Sequence, residues 1–177
     1  MPKLTLDFKK IANVTLEFNR SMADTDGKFV EMDIIIHGRT KGAPLHYHPY
    51  SEEIFEVKEG NCELFCFGKW EVLEKGYNIT VPKGMIHGFR KKDNAGAVVM
   101  TRLTPPSDYE QYLSTIAHLI NTGIIKPKMN LKFFIYHALV RTKYNQSTQF
   151  KGVMMSGMIG ILSRLGKILG YKIPEIE

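Results

Sequence analysis

Two histidines stand two residues apart, at His46 and His48, followed by the adjacent carboxylates Glu52 and Glu53 and, further on, by His87. Imidazole nitrogen and carboxylate oxygen are donors that first-row divalent metals accept. The absence of cysteine among them sets them apart from closed structural zinc sites. On a strand, side chains two apart point the same way, so both rings of an HxH pair can meet one ion. Such a pair alone also fits a polar strand end. Parity separates the two glutamates: Glu53 shares a face with Phe55 and Val57, Glu52 with Ile54, Glu56 and Lys58. The first face is apolar, so Glu53 is the inward carboxylate and Glu52 the solvated one. After the turn Pro82-Lys83-Gly84, His87 and Phe89 share a face and Arg90 takes the other. No Ser-His-Asp, Cys-His or phosphate-loop arrangement accompanies these residues, and no catalytic residue is assigned. His118 falls on the polar side of a helical stretch and His137 inside an apolar one, which fits solvation for the first and packing for the second.

The elements that must hold these groups are short strands. From about Asn13 to Leu103 the chain reads VTLEF, KFVEMDIIIHG, APLHYH, EIFEVKE, CELFCF, WEVLE, YNITV, IHGFR and AVVMTRL. Turn residues such as Gly60-Asn61, Lys75-Gly76 and Asp93-Asn94 separate them. Strands at this spacing with no helical pattern between them predict an antiparallel sandwich or barrel. Pro105-Pro106 ends the region, and Ser107 with Glu110 reads as a capping box, Ser107 as N-cap and Glu110 at N3. Tyr109, Leu113, Ile116, Ala117 and Ile120 then form a helical stripe that Gly123 stops. A second helix, apolar on most sides and so expected to be buried, runs from near Asn130 to Lys143. A third covers roughly Val153 to Leu169.

These residues resemble the two motifs of the cupin superfamily, G-x5-H-x-H-x3,4-E-x6-G and G-x5-P-x-G-x2-H-x3-N, in the form of the small bacterial-type cupins. His46, His48, Glu53 and Gly60 match the first, and Gly76, Pro82, Gly84 and His87 the second, with fifteen residues between Gly60 and Gly76. Thr40 stands where the first motif has its opening glycine, and Lys91 where the second has its closing asparagine. The resemblance implies a mainly β fold, a jelly-roll β-barrel (double-stranded β-helix), with a C-terminal helical extension. It also implies a divalent transition metal (Fe, Mn, Ni, Co, Cu or Zn) held by His46, His48, Glu53 and His87. Four protein ligands on an octahedral ion leave two positions open. Met32, Ile34, Ile36, Phe55, Phe89 and Met100 are expected to line an apolar pocket, with Tyr47, Tyr50, His37 and Arg102 as polar contacts at its ends. That lining favours a lipophilic or aromatic small-molecule ligand. The leading expectation is metal-dependent chemistry of dioxygenase type; the alternative is a non-catalytic binding or sensing module in the same pocket.

Residues 1–104 are therefore read as a β-barrel domain and 105–177 as a basic, amphipathic helical extension. The net charge of +6 collects there: no acidic residue lies between Glu110 and Glu175. On a helical wheel Met154, Met155, Met158, Ile159, Ile161, Leu162, Leu165, Ile168 and Leu169 share one half, and Ser156, Ser163, Arg164 and Lys167 the other. The apolar half packs on the barrel, the other helices or a second subunit; alternatively it lies on an anionic membrane surface, aided by lysines such as Lys128 and Lys151. Exposed sheet edges of this family pair, so a homodimer is expected. No aromatic-basic interleaving points to nucleic acid. Cys62 and Cys66, four residues apart on a strand, lie too far apart for a disulfide. Free thiols and the lack of an apolar run of signal length in the first twenty residues favour a cytoplasmic setting, with peripheral membrane contact as the variant.

Overall fold

The alternating segments form strands whose inward-facing side chains are mainly apolar and share one interior. A computed structural model describes residues 4–126, 130–150 and 153–175, the backbone alone for 153–156. Its strands are β1 (Thr5–Asp7), β2 (Val14–Arg20), β3 (Val30–Ile36), β4 (His46–Tyr47), β5 (Glu52–Glu59), β6 (Asn61–Cys66), β7 (Lys69–Glu74), β8 (Asn78–Val81), β9 (Gly88–Arg90), β10 (Ala97–Thr104) and β11 (Gln149–Phe150). A six-stranded antiparallel sheet has the order β1-β2-β3-β10-β5-β8; a three-stranded one runs β7-β6-β9, and β11 pairs with β4. Met32, Ile34, Ile36, Phe55 and Val57 from the first sheet and Cys62, Leu64, Cys66 and Leu73 from the second share one buried cluster. Both cysteines are free and buried.

The pairing does not close into a barrel. Across the gaps the described residues make isolated bridges, Thr40 with Lys91 and His46 with His87, because β4 and β9 are too short to extend a ladder. Gly60 joins β5 to β6 in the left-handed region, with φ 67°, and a Cβ there would lie 2.6 Å from the Gly96 carbonyl oxygen. Only glycine meets both demands. Ahead of the expected strands, β1 pairs with β2, and a single helical turn, α1 (Lys9–Ala12), connects them.

Three longer helices follow: α2 (Tyr109–Asn121), α3 (Leu131–Lys143) and α4 (Val153–Ile168). Asn130 caps α3 by accepting from the Phe133 N–H at 2.9 Å, and Gly123, with φ 73°, follows α2. The helices build a second apolar cluster that includes Ile116, Leu119, Ile135 and Leu139, and Leu113 and Phe8 pack against both clusters. In α3, Leu131 and Phe134 are exposed while Phe133, Ile135, Ala138, Leu139 and Val140 are buried.

One local expectation is corrected and a second is met only in part. Ser107 adopts φ 50° and is not the N-cap; Asp108 is, without a side-chain cap bond. The carboxylates that would serve a capping box are engaged elsewhere: Asp108 with residues 146 and 147, Glu110 with the Met22 N–H at 2.6 Å. In α4, Leu162 and Leu165 of the apolar half pack on the helical cluster as expected, but the buried side also carries Ser163 and Gly166, while Met158 and Ile161 within the helix, Ile168 at its end and Leu169 just beyond it are exposed. The reason is close approach: a Cβ at Gly166 would fall 2.6 Å from Ile135 Cγ2, so small residues face α3. Met154, Met155 and Ser156, as side chains, and Lys128 and Lys151 lie outside the described residues.

Candidate metal centre

The turn after β4 and the start of β5 bring a run of polar residues to the end of an otherwise apolar interior. His46 and His87 lie opposite each other on a backbone bridge (His46 N–H to His87 O, 3.0 Å; His87 N–H to His46 O, 2.8 Å), which brings their ring centroids to 4.5 Å. His48, two residues on, places its ring 5.2 Å from that of His46 and 5.1 Å from that of His87. Glu53, second residue of β5, faces inward at 3% exposure, while Glu52 is exposed, as parity requires. Its Oε2 lies 2.8 Å from His87 Nε2 and 3.2 Å from His48 Nε2. One donor atom from each of the four residues falls within 4.8 Å of the others, and all four residues are buried.

What lies behind each ring fixes its tautomer. His46 Nδ1 meets the Pro44 carbonyl at 2.8 Å, His87 Nδ1 the Met85 carbonyl at 2.9 Å, and His48 Nδ1 the Ser147 carbonyl. A carbonyl only accepts, so each Nδ1 carries the proton and donates. In a neutral ring Nε2 then offers a lone pair to the centre. Three lone pairs and a carboxylate converging in a buried space repel one another unless a positive charge sits among them.

The protonation tendencies express the same frustration. Burial, with His87 and His48 as neighbours, pushes His46 down to about 3. Burial would raise the Glu53 carboxyl, but its contacts with His48 and His87 outweigh this and hold it well below the carboxylate range. Burial likewise opposes a charge on His87, and its contact with Glu53 prevails and raises it. A divalent cation satisfies all four donors without needing a proton, and three imidazoles with one carboxylate suit a first-row metal rather than calcium or magnesium. The residues present fit such an ion.

Around the centre, Phe55 packs against His87 at 5.9 Å between ring centroids, and Met32, Ile34 and Ile36 line the same interior, with Phe89 partly buried beside it. Met100 does not join them. It pairs with Asp33 and Glu56, both outward-facing, whereas Val99, Thr101 and Leu103 point inward. Of the expected polar contacts, Tyr47 on β4 pairs with Gln149. The other three turn away: Tyr50 is 65% exposed; His37 is exposed and meets Thr15 Oγ1 at 2.8 Å; Arg102 Nε donates to Glu31 at 2.9 Å and its guanidinium stacks over Phe29. Each is on the outward parity of its strand or in a surface turn.

Sequence reasoning missed four residues here. Tyr109, read only as part of a helical stripe, sets its ring 5.5 Å from that of His48; burial, reinforced by the Glu53 charge, keeps its phenol protonated well above the usual range. Thr101 presents a buried hydroxyl to the interior with no partner among the described residues. Ser147, two residues before β11, enters through its carbonyl, and Asp108 by accepting from the Gln146 and Ser147 N–H groups. The Pro-Pro break just before Asp108 was a usable signal that α2 begins at the strand ends; a backbone carbonyl leaves no trace in a sequence.

The two departures from the motif prove to be partners. Thr40 and Lys91 exchange backbone hydrogen bonds at 2.9 Å each, Thr40 Oγ1 donates to the Ala12 carbonyl, and buried Lys91 donates to Asn61 O and Oδ1 at 3.0 Å. The local geometry is closed by side chains where the motif has glycine and asparagine.

Comparison with known proteins follows the same outline. The family model for the cupin domain matches residues 32–102. The polyketide synthase CurC of Streptomyces cyaneus is 37% identical over 60 residues, which is 34% of this chain and 39% of that protein's length. Among solved structures, the polyketide cyclase RemF of Streptomyces resistomycificus superposes with a TM-score of 0.51 at 19% identity, covering 59% of this chain and 75% of its own. A cupin-2 domain protein of Rhodospirillum rubrum gives 0.51 at 13% identity, over 59% and 71%. At these identities the structural likeness establishes the fold.

Proposed function

This chain belongs to the cupin superfamily, and from that premise we propose that it is a metal-dependent enzyme acting on a lipophilic, oxygen-bearing small molecule of the polyketide class. The observation that carries the reading is the set of three carbonyl-pinned imidazoles whose Nε2 atoms converge with the Glu53 carboxylate inside an apolar interior. The two sheets are read as an open jelly roll, residues 1–104 as the metal-holding domain and 105–177 as its extension. When bound, the ion supplies Lewis-acid polarisation of a chelating oxygen and, for a redox-active metal, electron transfer. The chain itself does the rest. Phe55, Met32 and Ile34 exclude water and present an apolar wall, which suits an aromatic skeleton. Tyr109, kept neutral, and Thr101, without a protein partner, offer hydroxyls to a ligand's oxygens. The short similarity to a polyketide synthase supports the ligand class. Homodimerisation through the open edges at β1, β7 or β8 belongs to the same proposal.

Elemental analysis of protein purified without chelators tests the centre, beside His46→Ala and Glu53→Ala. The expected result is near-stoichiometric metal in the wild type and little in either variant; a metal-free wild type, or variants that keep full metal, overturns the assignment. With an aromatic polyketone as probe, mass spectrometry of the product separates the reactions. Ring closure leaves an isomer or a dehydrated product, dioxygenation adds two oxygen atoms, and a ligand that binds without conversion marks the non-catalytic alternative.

A further inference from the structure

Two of the three carbonyls that orient the imidazoles are local. Pro44 holds His46 and Met85 holds His87, each from two residues away, so the turn that places the histidine also places its partner. The third is remote: the carbonyl that receives the His48 Nδ1–H belongs to Ser147, ninety-nine residues on. Something must hold that carbonyl in place, and the structure provides for it on both sides. Before it, the Asp108 carboxylate accepts from the Gln146 N–H at 2.9 Å and from the Ser147 N–H at 2.7 Å, one oxygen to each. After it, Gln149 and Phe150 pair with Tyr47 and His46, the strand that carries His46 and leads directly into His48. Arg141 closes the segment from the helical side, donating to the Tyr144 carbonyl at 3.0 Å with its guanidinium over the Phe150 ring. The hydroxyls of Ser147 and Thr148 are buried with no partner among the described residues, so the bonds seen to hold the segment are those of its backbone.

We propose that Asp108 and residues 145–150 form a clasp that positions His48 for metal binding, which makes the helical extension part of the centre. Asp108 is a positioning residue: it touches neither ion nor ligand and acts through the Ser147 carbonyl. With the carbonyl in place, His48 keeps its proton on Nδ1 and its Nε2 lone pair toward the other donors. With the clasp loosened the ring is free to rotate and to exchange tautomers, and the donor set must be organised anew each time an ion binds. Loss of such an outer hydrogen bond typically lowers metal affinity about 10- to 100-fold. The inference rests on the metal reading above.

The test uses the full chain, metal-free, titrated with Co(II) against a competing chelator, with the visible absorption of the bound cobalt as a second readout. Asp108→Ala is expected to bind cobalt about 10- to 100-fold more weakly, with an altered cobalt spectrum, and Asp108→Asn, which retains one acceptor oxygen, to fall between it and the wild type. Gly166→Ala, which disturbs the α3–α4 contact, serves as the control for general loosening of the helices: it is expected to lower stability and leave cobalt affinity and spectrum unchanged. Wild-type affinity and spectrum in a folded Asp108→Ala overturn the clasp; should that variant not fold, the same result in Asp108→Asn overturns it. Equal weakening by Gly166→Ala also overturns it, because any disturbance of the helices would then suffice. A wild type that binds no cobalt overturns the metal reading instead, and the clasp with it.

Discussion

The imidazoles of the centre each have a carbonyl behind the ring, and His137 does not. Its Nε2 is sealed among the helices with no partner among the described residues, its ring packs against Phe133, and burial pushes its pKa down to about 4. The unfolded chain takes up a proton near pH 6.5 that the folded chain refuses until about pH 4. Stability is therefore full above the unfolded value and falls as the pH drops toward the folded one. Between about pH 7 and about pH 5 this single group should cost about 1 to 2 kcal/mol, the lower figure allowing for partial exposure of the ring. Chemical denaturation of the wild type and His137→Phe at the two pH values checks it: the variant should lose less stability on acidification, and equal losses would refute the assignment.

In α4, Leu162 and Leu165 pack on the helical cluster, and the small residues Ser163 and Gly166 share the buried side with them. Gly166 allows the backbone to approach Ile135 and Leu139 of α3, whereas Gly160 has no heavy atom of the other described residues within 4 Å of its would-be Cβ. The two glycines should respond with opposite sign. Gly166→Ala should destabilise by about 1 to 3 kcal/mol through overpacking. Gly160→Ala should stabilise by up to about 1 kcal/mol, the helix-propensity gain at an exposed position. Urea midpoints of both variants decide; stabilisation by both would mean that α4 does not dock on α3 by this face. A hydrophobic wheel missed this because it ranks faces by apolarity, while close helix contacts are set by the smallest side chains.

Taken as a unit, the chain carries its charge asymmetry to one end, and on α4 the exposed Ile161 and Ile168 lie on a helix that also shows Arg164 and Lys167 to solvent. No helix among the described residues is long and apolar enough to cross a membrane. Surface attachment is the form in which a lipid contact can be proposed: the full chain should float with anionic liposomes at low salt, detach as salt rises, and ignore neutral ones. Absence of flotation at low salt removes that reading and leaves the apolar residues to a second copy.

The strand pattern, the inward Glu53 and the four donors were legible because alternation and motif spacing are local properties. Met100 was not, because its parity depends on how β10 aligns with β3 and β5. The Asp108–Ser147–His48 connection was not, because it runs through backbone atoms. Glu110 misled because its carboxylate takes the Met22 N–H, distant in sequence, and Ser107 because its backbone enters the left-handed region and leaves the N-cap to Asp108.

The pairing of β11 with β4 also has a temporal consequence. During synthesis every donor has left the ribosome long before residue 147, so a nascent chain can gather the four ligands early yet lacks the carbonyl that orders His48. Tight capture of the ion would then await synthesis of residues 145–150, and a chain terminated before them would display a formed but leaky site. In that sense metal retention reports whether residues 145–150 have been made and docked.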